Sequence, residues 1–177
     1  MFKIKIRAAA AGLGAAIAVC GLSLTGVASA QNAPLTCSIQ TVDGHYLTAV
    51  GGGNRISDVI HTDATVARSW ERFTLVDPGD GVPIFYGIKT YDGHWLTAVG
   101  GGGLATNPLH SDATQKLAWE KFRFVDAGNG QWAIKTNSGN YLTANGGGNR
   151  ITDTMRSNAT SIQAWEKFRL TNCRYGS

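Results

Sequence analysis

The chain has 177 residues with 16 Lys and Arg against 12 Asp and Glu, a formal net charge of +4. Three of the basic residues, Lys3, Lys5 and Arg7, sit at the extreme N-terminus, so residues 31–177 hold thirteen basic against twelve acidic side chains and are close to neutral. With no basic block anywhere, nothing in the charge supports a nucleic-acid or anionic-membrane partner.

The first element is the N-terminal segment. Lys3, Lys5 and Arg7 are followed by an apolar run from Ala8 to about Leu24 and by Ala28-Ser29-Ala30. That order reads as a secretory signal peptide over residues 1–30, cleaved before Gln31. The run is Ala- and Gly-rich and barely long enough to span a membrane, which disfavours an uncleaved anchor. Val19 before Cys20 is larger than a lipoprotein site wants. A secreted, extracellular protein of about 147 residues is expected, free of the membrane once the leader is removed. That is enough chain for one domain and too little for two.

The expected domain spans residues 31–177 and keeps two cysteines, Cys37 and Cys173, one near each end. In an oxidising compartment such a pair reads as a disulfide stapling the termini, with two free thiols as the alternative.

Between the cysteines the sequence repeats itself three times. Residues 43–77 align without a gap to 92–126 and to 138–172, and twelve of the 35 columns are identical in all three copies. The units run over about 36–80, 81–128 and 129–174. Each opens on an alternating segment such as Ile88-Lys89-Thr90-Tyr91, and a tight-turn signal follows: Asp43-Gly44, Asp92-Gly93 or Ser138-Gly139. The next strand, Tyr46-Leu47-Thr48-Ala49 and its equivalents, is stopped by a glycine triplet at 51–53, 100–102 or 146–148. These triplets read as turns, because no Gly-Lys-Ser/Thr follows to make a phosphate loop. A third strand is expected over Ile56 to His61 and a fourth over Trp70 to Val76. No window carries a convincing amphipathic helix.

Four short strands cannot bury both faces alone, and three such units must close on one another or leave open edges. An all-β fold results, a β-trefoil of three four-strand repeats around a pseudo-threefold axis. Closure would also bring the first and last strands, and so Cys37 and Cys173, together.

The fourth strand carries the candidate site: Trp70-Glu71, Trp119-Glu120 and Trp165-Glu166, each followed two residues on by phenylalanine. Alternation along a strand buries Phe73 and Leu75 and leaves Trp70 on the wet face. A β-bulge before Phe73 would instead turn the indole into the core, and spacing leaves both readings open. An exposed indole beside a carboxylate suits a sugar, whose C–H face stacks on the ring while its hydroxyls donate to the acid. Three such sites on one body bind a polymer with avidity. Asp63, Asp112 and Asn158, seven residues before each tryptophan, read mainly as turn residues, with contact to the same ligand as the alternative.

Catalysis finds little support. Glu71, Glu120 and Glu166 are spread around an axis, whereas glycoside hydrolysis needs two carboxylates across one cleft. No G-x-S-x-G motif is present, so a non-enzyme without cofactor is expected. His45, His61, His94 and His110 have no short-range ligand spacing, so no metal site is expected.

The unit GxYLTAxGGG…A-T…WExF resembles the fascin-like β-trefoil repeat, and within it the family 92 carbohydrate-binding modules. The resemblance covers essentially all of residues 31–177. It implies trivalent β-glucan binding, with Trp70 and Glu71, Trp119 and Glu120, and Trp165 and Glu166 at the three sites, and it favours exposed indoles. The second repeat departs with Gly103-Leu104 where the others have Asn54-Arg55 and Asn149-Arg150. A second departure is that such modules are normally joined to a catalytic domain, whereas here a free-standing, monomeric lectin with a polysaccharide partner is expected. Rival readings are a fascin-like actin-binding or structural trefoil, disfavoured by export, and a protease inhibitor, disfavoured because a single inhibitory loop gains nothing from triplication.

Overall fold

The structure is a computed structural model describing residues 34–77 and 85–176, so the expected signal peptide lies outside the described residues. The described residues form twelve β-strands. The first unit holds β1 (Leu35–Gln40), β2 (Tyr46–Ala49), β3 (Ile60–Ala64) and β4 (Arg72–Val76). The second holds β5 (Phe85–Lys89), β6 (Trp95–Ala98), β7 (Leu109–Ala113) and β8 (Lys121–Asp126). The third holds β9 (Trp132–Lys135), β10 (Tyr141–Ala144), β11 (Met155–Ala159) and β12 (Arg169–Tyr175).

Pairing is antiparallel throughout. β1 pairs with β4, β4 with β5, β5 with β8 and β8 with β9. The ring closes where β12 pairs with β1 and where Trp132 and Phe168 exchange backbone hydrogen bonds of 2.8 Å. The hairpins β2–β3, β6–β7 and β10–β11 project from this six-strand barrel. This is the β-trefoil arrangement that three closing repeats require.

The core repeats with the sequence. Phe73, Phe122 and Phe168 are fully buried, and so in turn are Ile39, Ile88 and Ile134, and Leu47, Leu96 and Leu142. Each such side chain contributes roughly 1.5–3 kcal/mol of burial. Adjacent units are also sewn together through the backbone. The Asn54 amide donates to the Ser111 carbonyl at 2.8 Å, Gly103 to Ser157 at 2.7 Å and Asn149 to Thr62 at 2.7 Å. The cycle returns to its start, so each repeat holds the next.

Cys37 and Cys173 are bonded, with their Cα atoms 4.1 Å apart at a sequence separation of 136. The tight turns lie where expected, with Gly44, Gly93 and Gly139 at φ of 94°, 91° and 93°. Two strand boundaries differ from expectation. The third strand starts at Ile60, not Ile56, because residues 54–59 form a loop with Asn54 and Asp58 at positive φ. The fourth starts at Arg72, after the Trp-Glu pair.

Candidate functional site

Trp119-Glu120 and Trp165-Glu166 lie in short 3₁₀ turns, Ala118–Glu120 and Ala164–Glu166, that feed β8 and β12. Trp70-Glu71 occupies the matching turn before β4, where the Arg72 amide donates to the Ser69 carbonyl at 3.3 Å. The tryptophans are exposed, at 47%, 49% and 47% for Trp70, Trp119 and Trp165. Spacing left exposed and core readings open, and it is the turn that exposes the rings.

The glutamates are placed differently from expectation. Glu71, Glu120 and Glu166 are buried, each only 6% exposed. One carboxylate oxygen accepts the hydroxyl of Thr48, Thr97 or Thr143 from the neighbouring strand at 2.7–2.8 Å. The other accepts the backbone N–H of Arg68, Leu117 or Gln163 at 2.7, 2.8 and 2.9 Å. Each carboxylate therefore ties the turn to the hairpin beneath it, which fixes the indole's height and angle. It does not lie open beside the ring as a free acceptor, since burial without these bonds would be costly.

Asp63, Asp112 and Asn158 are also corrected. They lie within β3, β7 and β11 rather than in turns, and their side chains are exposed. The structure brings Asn158 and Trp165 into one depression of about 440 Å³, lined also by Thr143, Asn145, Arg156 and Glu166. That size suits a small sugar ligand. Thr143, Asn145 and Arg156 were not among the expected site residues. The threonine had a signal in the sequence, since Thr48, Thr97 and Thr143 form one of the identical columns.

The middle glycine of each triplet sits under the indole. A β-carbon on Gly101 would stand 3.4 Å from Cδ1 of Trp119, and one on Gly147 would stand 3.5 Å from Cδ1 of Trp165. Beside Gly52 lies exposed Tyr91 of the following repeat, and beside Gly147 lies Val42. The glycine runs are thus turns, as expected, that also let a large ring approach the backbone. The Asn54-Arg55 and Asn149-Arg150 steps, and Gly103-Leu104 that replaces them, meet the strand of the next unit rather than a tryptophan.

Three of the four histidines have local partners: His45 meets Asp43 at 3.2 Å, His94 meets Asp92 at 3.1 Å and His61 meets Asp58 at 2.6 Å. A separate depression of about 430 Å³ lies among the 56–60, 105–109 and 151–155 segments of the three units, away from every tryptophan.

No protein-family model matches the chain, and no curated protein compared with it matches. Solved structures do. A designed threefold-symmetric protein, ThreeFoil, superposes with a TM-score of 0.64 at 16% identity, covering 77% of this chain and 98% of its own. The BEL β-trefoil superposes at 0.62 with 12% identity, over 77% of this chain and 92% of that one. The agglutinin of Rhizoctonia solani superposes at 0.57 with 13% identity, over 77% and 93%. Twelve antiparallel strands, a closed ring of three equivalent units and these likenesses together make the chain a β-trefoil protein.

Proposed function

We propose that the protein is a secreted, multivalent carbohydrate-binding protein with one tryptophan-centred site per repeat. The observation that carries this reading is the triplicate exposure of Trp70, Trp119 and Trp165, each half open to solvent on a rigid turn. An exposed apolar ring costs solvation unless something covers it, and repeating it at three equivalent positions suits a repeating ligand. In each site the indole supplies the stacking face, Asp63, Asp112 or Asn158 supplies a polar partner, and Glu71, Glu120 or Glu166 holds the indole in place. The likeness to an agglutinin of the same fold supports a glycan ligand, and the resemblance of the repeat to the family 92 modules favours β-glucan. No facing pair of free carboxylates supports hydrolysis at these sites.

The test is retention of residues 31–177 on insoluble β-1,3-glucan, cellulose, chitin, xylan and filamentous actin in parallel. Selective retention on glucan, reversed by soluble gluco-oligosaccharide, is the expected outcome. Retention on actin alone would overturn the reading in favour of a fascin-like one.

A further inference from the structure

The three tryptophan sites share an indole, a threonine and a buried glutamate, yet at three lining positions where the first two repeats agree the third departs. Arg156 replaces His61 and His110, Asn158 replaces Asp63 and Asp112, and Asn145 replaces Val50 and Val99. These changes fall in one depression with Trp165, so they alter one binding surface together.

Their electrostatic sense is uniform. Nη2 of Arg156 donates to Oδ2 of Asp153 at 3.1 Å, the same oxygen accepts from Nδ2 of Asn145 at 2.5 Å, and Nη2 of Arg150 stands 3.9 Å away. Two guanidinium groups therefore share one carboxylate, leaving a local excess of positive charge. The Nε of Arg156 is buried without a hydrogen-bond partner, whereas the side chain as a whole is 41% exposed. In the first repeat Asp58 is shared by Arg55 at 3.4 Å and His61 at 2.6 Å. There the exposed Asp63 adds a further negative charge, and Arg68 stands where the third site has Gln163. The second repeat has Leu104, Asn107, His110 and Leu117 at the corresponding positions, with Asp112 exposed among them.

We propose that the third site selects an acidic sugar, whose carboxylate or sulfate is met by Arg156 while its ring stacks on Trp165, and that the first two sites take neutral sugars. This rests on reading the tryptophans as glycan-binding. A guanidinium offers paired donors that match a carboxylate or sulfate. Asn158 donates as well as accepts, whereas Asp63 and Asp112 only accept and repel an anion.

The experiment is calorimetric titration at neutral pH with a β-1,3-gluco-oligosaccharide, the same oligosaccharide oxidised at C6 to the uronate, and its 6-sulfate. It uses the unaltered domain, Arg156→His, and a Trp70→Ala/Trp119→Ala double variant that isolates the third site. The double variant should bind an acidic form about tenfold more tightly than the neutral one, and added salt should erode the difference. Arg156→His should lower the ratio of acidic to neutral affinity about tenfold, to near one. Histidine already occupies this position in two repeats, and an unchanged melting temperature confirms folding. The uronate and sulfate arms identify which anion is preferred. The proposal is overturned if the double variant shows no acidic preference, or if Arg156→His leaves that preference intact, while neutral binding persists. Absence of binding to all three sugars by the folded domain would overturn the carbohydrate reading as well.

Discussion

The pyrrole edge of Trp70 rests on Gly52 so closely that a β-carbon there would lie 3.3 Å from Nε1 and 3.5 Å from Cδ1. The same contact recurs at Gly101 and Gly147, so the glycine triplet is the seat of the proposed binding surface. Gly52→Ala should displace the indole and weaken ligand binding at that site severalfold. Its positive φ of 89° adds a stability cost of about 1–2 kcal/mol. Titration of the variant against glucan, with a melting curve alongside, separates the two effects.

The third glycine of each triplet has a different duty. A β-carbon on Gly102, at φ 114°, would run into Oγ1 of Thr136 and approach Oγ of Ser138 to 2.8 Å, both across the boundary to the next repeat. Gly100, at φ 66°, has nothing within 4 Å. Gly100→Ala should therefore cost only the left-handed penalty, about 1–2 kcal/mol. Gly102→Ala should cost clearly more, about 3 kcal/mol or above, from strain plus overpacking. Denaturant unfolding of the two variants checks the order.

Glu120 is expected to matter for folding before it matters for binding. Glu120→Ala leaves the Thr97 hydroxyl and the Leu117 amide without their acceptor and should destabilise by about 1–3 kcal/mol. Glu120→Gln keeps an acceptor for the amide and lets the threonine accept from the new NH₂, so it should cost less. If the two variants are equally stable but equally dead in binding, the carboxylate touches the ligand instead.

Acid should loosen two of the three repeat boundaries. Burial acts to raise the carboxyl pKa of Asp43 and Asp92, but hydrogen bonds from Thr41 and His45, and from Thr90 and His94, outweigh it and hold both below the ordinary value. A carboxyl depressed in the folded state contributes stability that is complete above its unfolded pKa, about 3.9, and is lost as pH falls through the folded value. The loss therefore belongs below about pH 4. The third repeat has Ser138 in this place, bonded through its hydroxyl to Asn140 at 3.0 Å. Replacing Asp43 and Asp92 by serine should flatten the acid limb of a urea-unfolding series; an unchanged slope would assign the acid sensitivity elsewhere.

Repeat identity, turn dipeptides and the inward register of Phe73, Phe122 and Phe168 carried the fold in the sequence, because closure of three incomplete units has few solutions. The site was legible in part. Alternation left Trp70 open between the wet face and the core, because the strand begins only at Arg72 and a turn presents the ring. Glu71 was read as an acceptor for a sugar's hydroxyls, although the alternation that exposes Trp70 turns its neighbour inward. Its partner Thr48 lies 23 residues away on another strand, a pairing that local spacing cannot show. Asp63 resembled a turn residue because Ala-Thr follows it, yet cross-strand pairing of β2 with β3 extends the ladder through it. Asn145 and Arg156 became site residues only once the third hairpin folded over Trp165.

The most direct test of the central claim is calorimetric titration of a soluble β-glucan oligosaccharide into the unaltered domain and into a Trp70→Ala/Trp119→Ala/Trp165→Ala variant, each first shown by circular dichroism to be folded. The account predicts saturable binding at up to three sites in the first and none in the second. Undiminished binding by the folded triple variant would contradict it.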